Sequence, residues 1–197
     1  MTNVDRVRRA SRSATIAGIA GLIALVLIGL FFSVGQPFGT LNDLALLVMT
    51  LALAPVMLGF YELGGRTPLL PARLALTSSI GAIAIWSIAQ AAMIAGLVSF
   101  DYDHAATGAF AVEAVTVILI GGWLVGAPLL AGPWLPSALR WFGAFCGVGF
   151  IVFGIGELLG GAFHPLTIVG GLGYQIAFPI WALLIGRLLA RRVAAEA

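Results

Sequence analysis

The sequence contains no lysine; its ten basic residues are all arginine. That excludes a retinal Schiff base. It contains one cysteine, Cys146, which excludes an internal disulfide and a paired-thiol metal clip and reads as a small packing residue. Its two histidines, His104 and His164, both fall between apolar segments, which argues against paired-histidine haem ligation inside a bundle. No P-loop, H-E-x-x-H or G-x-S-x-G motif occurs. Gly170-Gly171-Leu172-Gly173 lies inside an apolar segment and lacks the strand that a dinucleotide fingerprint needs. Ser78 and Ser79 have no histidine on their side of the membrane. An enzyme is therefore the class these residues support least, and no cofactor is expected.

Charge is also scarce. Charged residues make up 9% of the chain and hydrophobic residues 61%, more apolar surface than a soluble domain of 197 residues needs. The apolar matter comes in six blocks, approximately 13–34, 42–63, 74–98, 108–131, 141–161 and 166–188. Each is roughly 20 residues, the length at which a helix crosses ~30 Å of hydrocarbon. The expected fold is all-α: a polytopic bundle of six transmembrane helices (13–190), with a basic N-terminal segment (1–12) and a short tail (191–197). The first apolar run exceeds a signal-peptide core of ~7–15 residues, and no A-x-A site follows it, so it reads as a retained helix.

The arginines alternate along the chain. Arg6, Arg8, Arg9 and Arg12 precede the first block, Arg66 and Arg73 lie between the second and third, Arg140 precedes the fifth, and Arg187, Arg191 and Arg192 close the chain. The other connections carry Asp43, Asp101, Asp103, His104 and His164 but no arginine. By the positive-inside rule both termini are expected to be cytoplasmic and the outer face acidic. The basic pI follows from this topology and gives no reason to expect nucleic acid as a partner.

Arg12, Arg73 and Arg140 each open an odd-numbered helix, and Gly29, Gln90 and Glu157 each lie 17 residues further on. Pro55 and Pro179 interrupt the second and sixth helices, with Gly121-Gly122 near the same depth in the fourth. Three repeated helical hairpins of one orientation fit this spacing. Gly122 with Gly126, and Gly156 with Gly160, form small-xxx-small pairs that let backbones approach in lipid.

Seventeen residues of helix is about 25 Å at ~1.5 Å per residue, so Glu157 lies in the outer leaflet. No basic side chain is near it in sequence. An acid there must be neutralised, paired or wetted, and an ionisable group within a span is a candidate functional group. Glu113 lies at similar depth in the fourth helix, with Gln90, Tyr174 and Gln175 deeper in theirs. Asp43 reads as a helix cap. Glu62 reads as one half of an ion pair, with Arg66 or Arg187 in reach. His104 and His164 with the outer acids form a weak metal-ligand set without recognised spacing.

The turn Gly39-Thr40-Leu41-Asn42-Asp43 and the ending Phe178-Pro179-Ile180-Trp181 with Gly186-Arg187-Leu188-Leu189 resemble uncharacterised bacterial six-helix integral membrane proteins. The resemblance implies a bacterial plasma membrane and carries no activity and no site residues. Two functions compete. The first is a non-enzymatic protein that binds a lipid or other amphiphile in its bundle, or serves as a subunit of a membrane complex or homo-oligomer. Trp86, Trp123 and Trp181 are candidates to line its cleft. The second is a small transporter or channel, proton-coupled or not, that uses Glu157 and Glu113. The pathway candidates are Glu157, Glu113, Gln90, Gln175, Tyr174 and Trp86. A lateral opening would favour the binder.

Overall fold

The computed structural model describes residues 3–64, 70–97, 105 and 108–195. Arg66, Asp101, Asp103 and His104 lie outside the described residues. Among those described there is no strand. The elements are α1 (Asn3–Val34), α2 (Phe38–Leu63), α3 (Leu70–Ile94), α4 (Ala109–Leu130), a short 3₁₀ turn (Gly132–Trp134) and α5 (Ser137–Gly160). The sixth span is composite: α6 (Pro165–Gly171), a π-helical segment (Leu172–Ala177) and α7 (Phe178–Ala195).

Six spans of 21 to 31 residues are long and apolar enough to cross a bilayer. Their surface has the polarity of a membrane protein. Ile16, Ile19, Ile23 and Val26 on α1 and Ile88 on α3 are exposed, whereas Thr50, Ser79, Gln90 and Thr116 are buried. A bundle in lipid has no reason to hide apolar side chains but must satisfy its polar ones internally. α1 starts ten residues before the first apolar block, and α7 runs past the last one, to Ala195. Hydropathy marks the part of a helix that lies in lipid; helix-forming Arg and Ala continue it beyond.

Each span packs on its neighbours in sequence, and the sixth closes the ring against α1. Close approach sets these seams. A Cβ at Gly59 would lie 2.5 Å from the Ala10 Cβ, joining α2 to α1. Gly121 and Gly147 each face the other's carbonyl across α4 and α5. Gly18 and Gly21 seat Pro179 against α1. Gly156 and Gly160 face α6, as small-xxx-small spacing predicts, with Thr167 and His164 over them. Gly122 and Gly126 do not fit that expectation, since open space surrounds both. The contact on α4 is made by Gly121, one residue round the helix.

Neither proline breaks its helix in the expected way. α2 continues through Pro55. In the sixth span Pro179 has no N–H to donate to the carbonyl of Gln175. The Phe178 N–H donates to the Gly173 carbonyl, an i→i−5 bond, so the segment widens into a π turn and stays helical.

At the arginine-bearing end Glu62 is ion-paired with Arg6 across the α1–α2 seam. Arg140 donates from Nε to the Leu135 carbonyl (2.7 Å) and from Nη2 to the Gly132 carbonyl. One guanidinium thus holds the α4–α5 turn. Arg140→Ala is expected to cost about 1.5–3 kcal/mol, the usual worth of bonds to a charged group. Lysine should not restore it, because an ammonium cannot reproduce the planar fork. Thermal unfolding in maltoside micelles checks both.

Candidate functional site

Towards the arginine end the described residues pack an aromatic core. Phe60 meets Trp123, Trp134 and Trp181 at ring-centroid distances of 5.5, 5.0 and 5.8 Å, and Phe178 packs between Phe150 and Trp181. Trp123 and Trp181 are buried in this core and Trp86 is buried behind a cavity towards the other end; none of the three is on its wall, where they were expected.

The other end is not filled. A cavity of about 410 Å³ lies there. The reason is a divergence of two helices. The first half of α1 is pinned to α7 by Gly18, Gly21 and the Ser11 hydroxyl, which donates to the Gly186 carbonyl (2.9 Å). Beyond the π segment, α6 instead follows α5. A Cβ at Gly149 would lie 2.5 Å from the Gly173 Cα, and Gly170 is seated on Phe153 as closely. α6 is thereby drawn away from the second half of α1. The gap is walled by Leu25, Ile28, Gly29 and Phe32 of α1, one helical stripe, and by Ile168 and Leu172 opposite. Phe32, Ile168 and Leu172 are 57%, 61% and 56% exposed, so these walls reach the lipid-facing surface. Phe32 and Phe163 meet across the far end of the gap at 6.1 Å.

Polar groups from five spans converge behind this apolar entrance. They are Asn42 and Asp43 from α2, Gln90 from α3, Glu113 from α4, Glu157 from α5, and Tyr174 and Gln175 from the π segment. Five of the six sequence candidates therefore line one cavity. The sixth, Trp86, stands behind it and donates from Nε1 to Glu113 Oε1 (2.7 Å). Gln90 donates to the same oxygen (3.0 Å). Glu113 Oε2 and Gln90 Oε1 are both buried and have no hydrogen-bond partner among the described residues. The site thus holds one carboxyl oxygen by two donors and leaves two acceptors open. Tyr174 is held by rings of Phe150, Phe153 and Trp86, at 4.6, 4.8 and 6.1 Å.

Glu113 is within electrostatic reach of Asp43 and of Glu157. Among the described residues, no arginine or histidine pairs with any of the three. Asp43 was the acid that sequence reasoning missed. The N-cap of α2 is Pro37, with no side-chain cap bond, and Asp43 lies further along the helix, facing the cavity. Its apolar neighbours Leu41 and Leu44 gave no sign of which way it turned. His164 caps α6, its Nδ1 accepting from the Leu166 N–H (3.3 Å). Among the described residues, no three His, Cys, Asp or Glu side chains come together to hold a metal. Cys146 is buried in α5.

These features define the class: a multi-pass α-helical membrane protein with an acid-lined cavity near one end of its spans. The chain matches no protein-family model, no curated protein and no solved structure at a significant level.

Proposed function

We propose that this protein is a non-enzymatic integral membrane protein that binds an amphiphile in the cavity between α1 and α6. The arginine distribution supports cytoplasmic termini, and the resemblance noted above supports a bacterial plasma membrane. The observation that carries the reading is the lateral gap. It joins lipid-facing apolar walls to a buried polar end, the two requirements of a molecule with a chain and a head. The aromatic core towards the arginine end supports binding rather than passage of a solute.

Gly29 offers a direct test. It lies mid-stripe on the cavity wall, and a Cβ there meets no atom within 4 Å. Gly29→Trp would fill the gap without displacing packed atoms. In native mass spectrometry from mild detergent, the wild-type chain is expected to retain a mass of several hundred daltons, and Gly29→Trp to lose it. A bare wild-type chain, or an adduct indifferent to Gly29→Trp, would refute the proposal. A co-purifying protein chain in place of a small mass would point to a complex subunit.

A further inference from the structure

The amphiphile reading leaves the head group open, and the site's chemistry narrows it. A ligand can satisfy the cavity only if it brings what the cavity lacks. Two things are lacking. The first is hydrogen-bond donors, because Glu113 Oε2 and Gln90 Oε1 are buried acceptors without partners. Gln90 is 1% exposed and lines the cavity, and its open acceptor is out of reach of bulk water. Burying such an acceptor without a donor costs free energy that a bound N–H recovers. The second is positive charge. Asp43, Glu113 and Glu157 come from three helices to one cavity, and among the described residues no cation pairs with them. A phosphate or carboxylate head would add like charge and bring no donor.

Resting on that reading, we infer that the head group is an ammonium carrying N–H bonds: the cavity takes a lipophilic amine, its nitrogen donating to Glu113 Oε2 and Gln90 Oε1. Glu157 and Asp43 are the further carboxyls that line the same cavity. Phe153 and Tyr174 offer aromatic faces to the cation. The chain leaves between the α1 stripe and Ile168–Leu172. Trp86 is a positioning residue, since its Nε1 donates to Glu113 Oε1 and leaves Oε2 to the ligand.

The test compares heads on one chain. Radiolabelled octylammonium, octyltrimethylammonium, octanol and octyl sulfate are dialysed to equilibrium against the protein in phosphatidylcholine nanodiscs. Octylammonium is expected to bind at one per chain. The trimethyl form, which keeps the charge but has no N–H, should bind about tenfold more weakly, a difference of about 1.4 kcal/mol. Glu113→Gln and Glu157→Gln should each weaken octylammonium by about tenfold, and by more than they weaken octanol. Thermal unfolding in the same nanodiscs shows that each variant is folded. If the four probes bind alike and Gly29→Trp removes all of them, the ammonium inference falls while the amphiphile reading stands. If none binds and the wild-type chain carries no adduct, both fall. Retained octylammonium affinity in both glutamine variants overturns the inference by itself. Repeating the titration in phosphatidylethanolamine nanodiscs separates the two sources of such a head. Competition identifies a lipid headgroup, and undiminished binding a free amine.

Discussion

Gly149→Val is expected to detach the sixth span from α5, the largest loss of stability among the single substitutions considered. At Gly149 a Cβ would lie 2.5 Å from the Gly173 Cα and 2.9 Å from its carbonyl carbon. Both are backbone atoms and cannot rotate away. The facing position is equally tight, 2.7 Å from a Cβ at Gly173 to the Gly149 Cα, so neither helix can yield to the other. Overpacking in a filled core costs about 1–3 kcal/mol where side chains can shift; here backbone would have to move on both helices, so the cost should exceed that range and that of truncating any single buried side chain. The functional consequence is specific. The same seam draws α6 away from α1, so a chain that survives Gly149→Val should also lose the cavity and its adduct. Gly122→Ala is the matched control. Open space surrounds Gly122, and alanine favours helix, so stability should stay within about 0.5 kcal/mol or rise slightly. Unfolding of both variants in maltoside micelles, followed by tryptophan fluorescence, decides the point. A Gly149→Val protein as stable as wild type would mean that the seam is not closed as described.

Trp86→Ala should have the second largest effect. The side chain is fully buried and packs near Tyr174 at the back of the cavity. Truncating a buried tryptophan costs about 3–5 kcal/mol where the surroundings cannot collapse. Part of that loss is packing and part is the bond to Glu113, and the two can be separated. Trp86→Phe keeps most of the ring volume and removes only the Nε1 donor. Combined with Glu113→Gln in a double-mutant cycle, it should show a coupling of about 1–2 kcal/mol. Hydrogen bonds between membrane helices average only ~0.6 kcal/mol, but the acceptor here is a carboxyl group that the cavity wall shields from water. A coupling near zero would mean that Trp86 serves the core alone. In the binding assay Trp86→Phe should weaken octylammonium more than octanol, because a Glu113 held by one donor is less well aimed. A purely structural tryptophan would weaken both equally.

Much of the architecture was legible in the residues. Long apolar blocks mark spans because backbone polar groups in lipid must be satisfied inside each segment, so length and hydropathy alone identify a helix. Arginine spacing ordered the depths. Gly29, Gln90 and Glu157 lie equally far along their helices from Arg12, Arg73 and Arg140, and all three line the cavity. What the residues could not disclose is the direction each side chain takes around its helix, and which helices stand apart. Asp43 has the composition of a cap yet turns inward. Gly122 has packing spacing yet meets nothing, while Gly121 beside it is tightly packed. Glu62 had Arg187 as a candidate partner, and the pair shown is with Arg6, from a helix whose pairing no local pattern specifies.

The sequence by itself determined six membrane-spanning helices, the end at which the acids lie, and the absence of lysine and paired thiols. The tertiary structure alone decided that α1 and α6 part beyond the π segment and that three carboxyls from separate helices face one cavity. Depth in a membrane is additive along one chain segment, whereas azimuth and helix spacing depend on close contacts such as Gly149 with Gly173, between residues far apart in sequence.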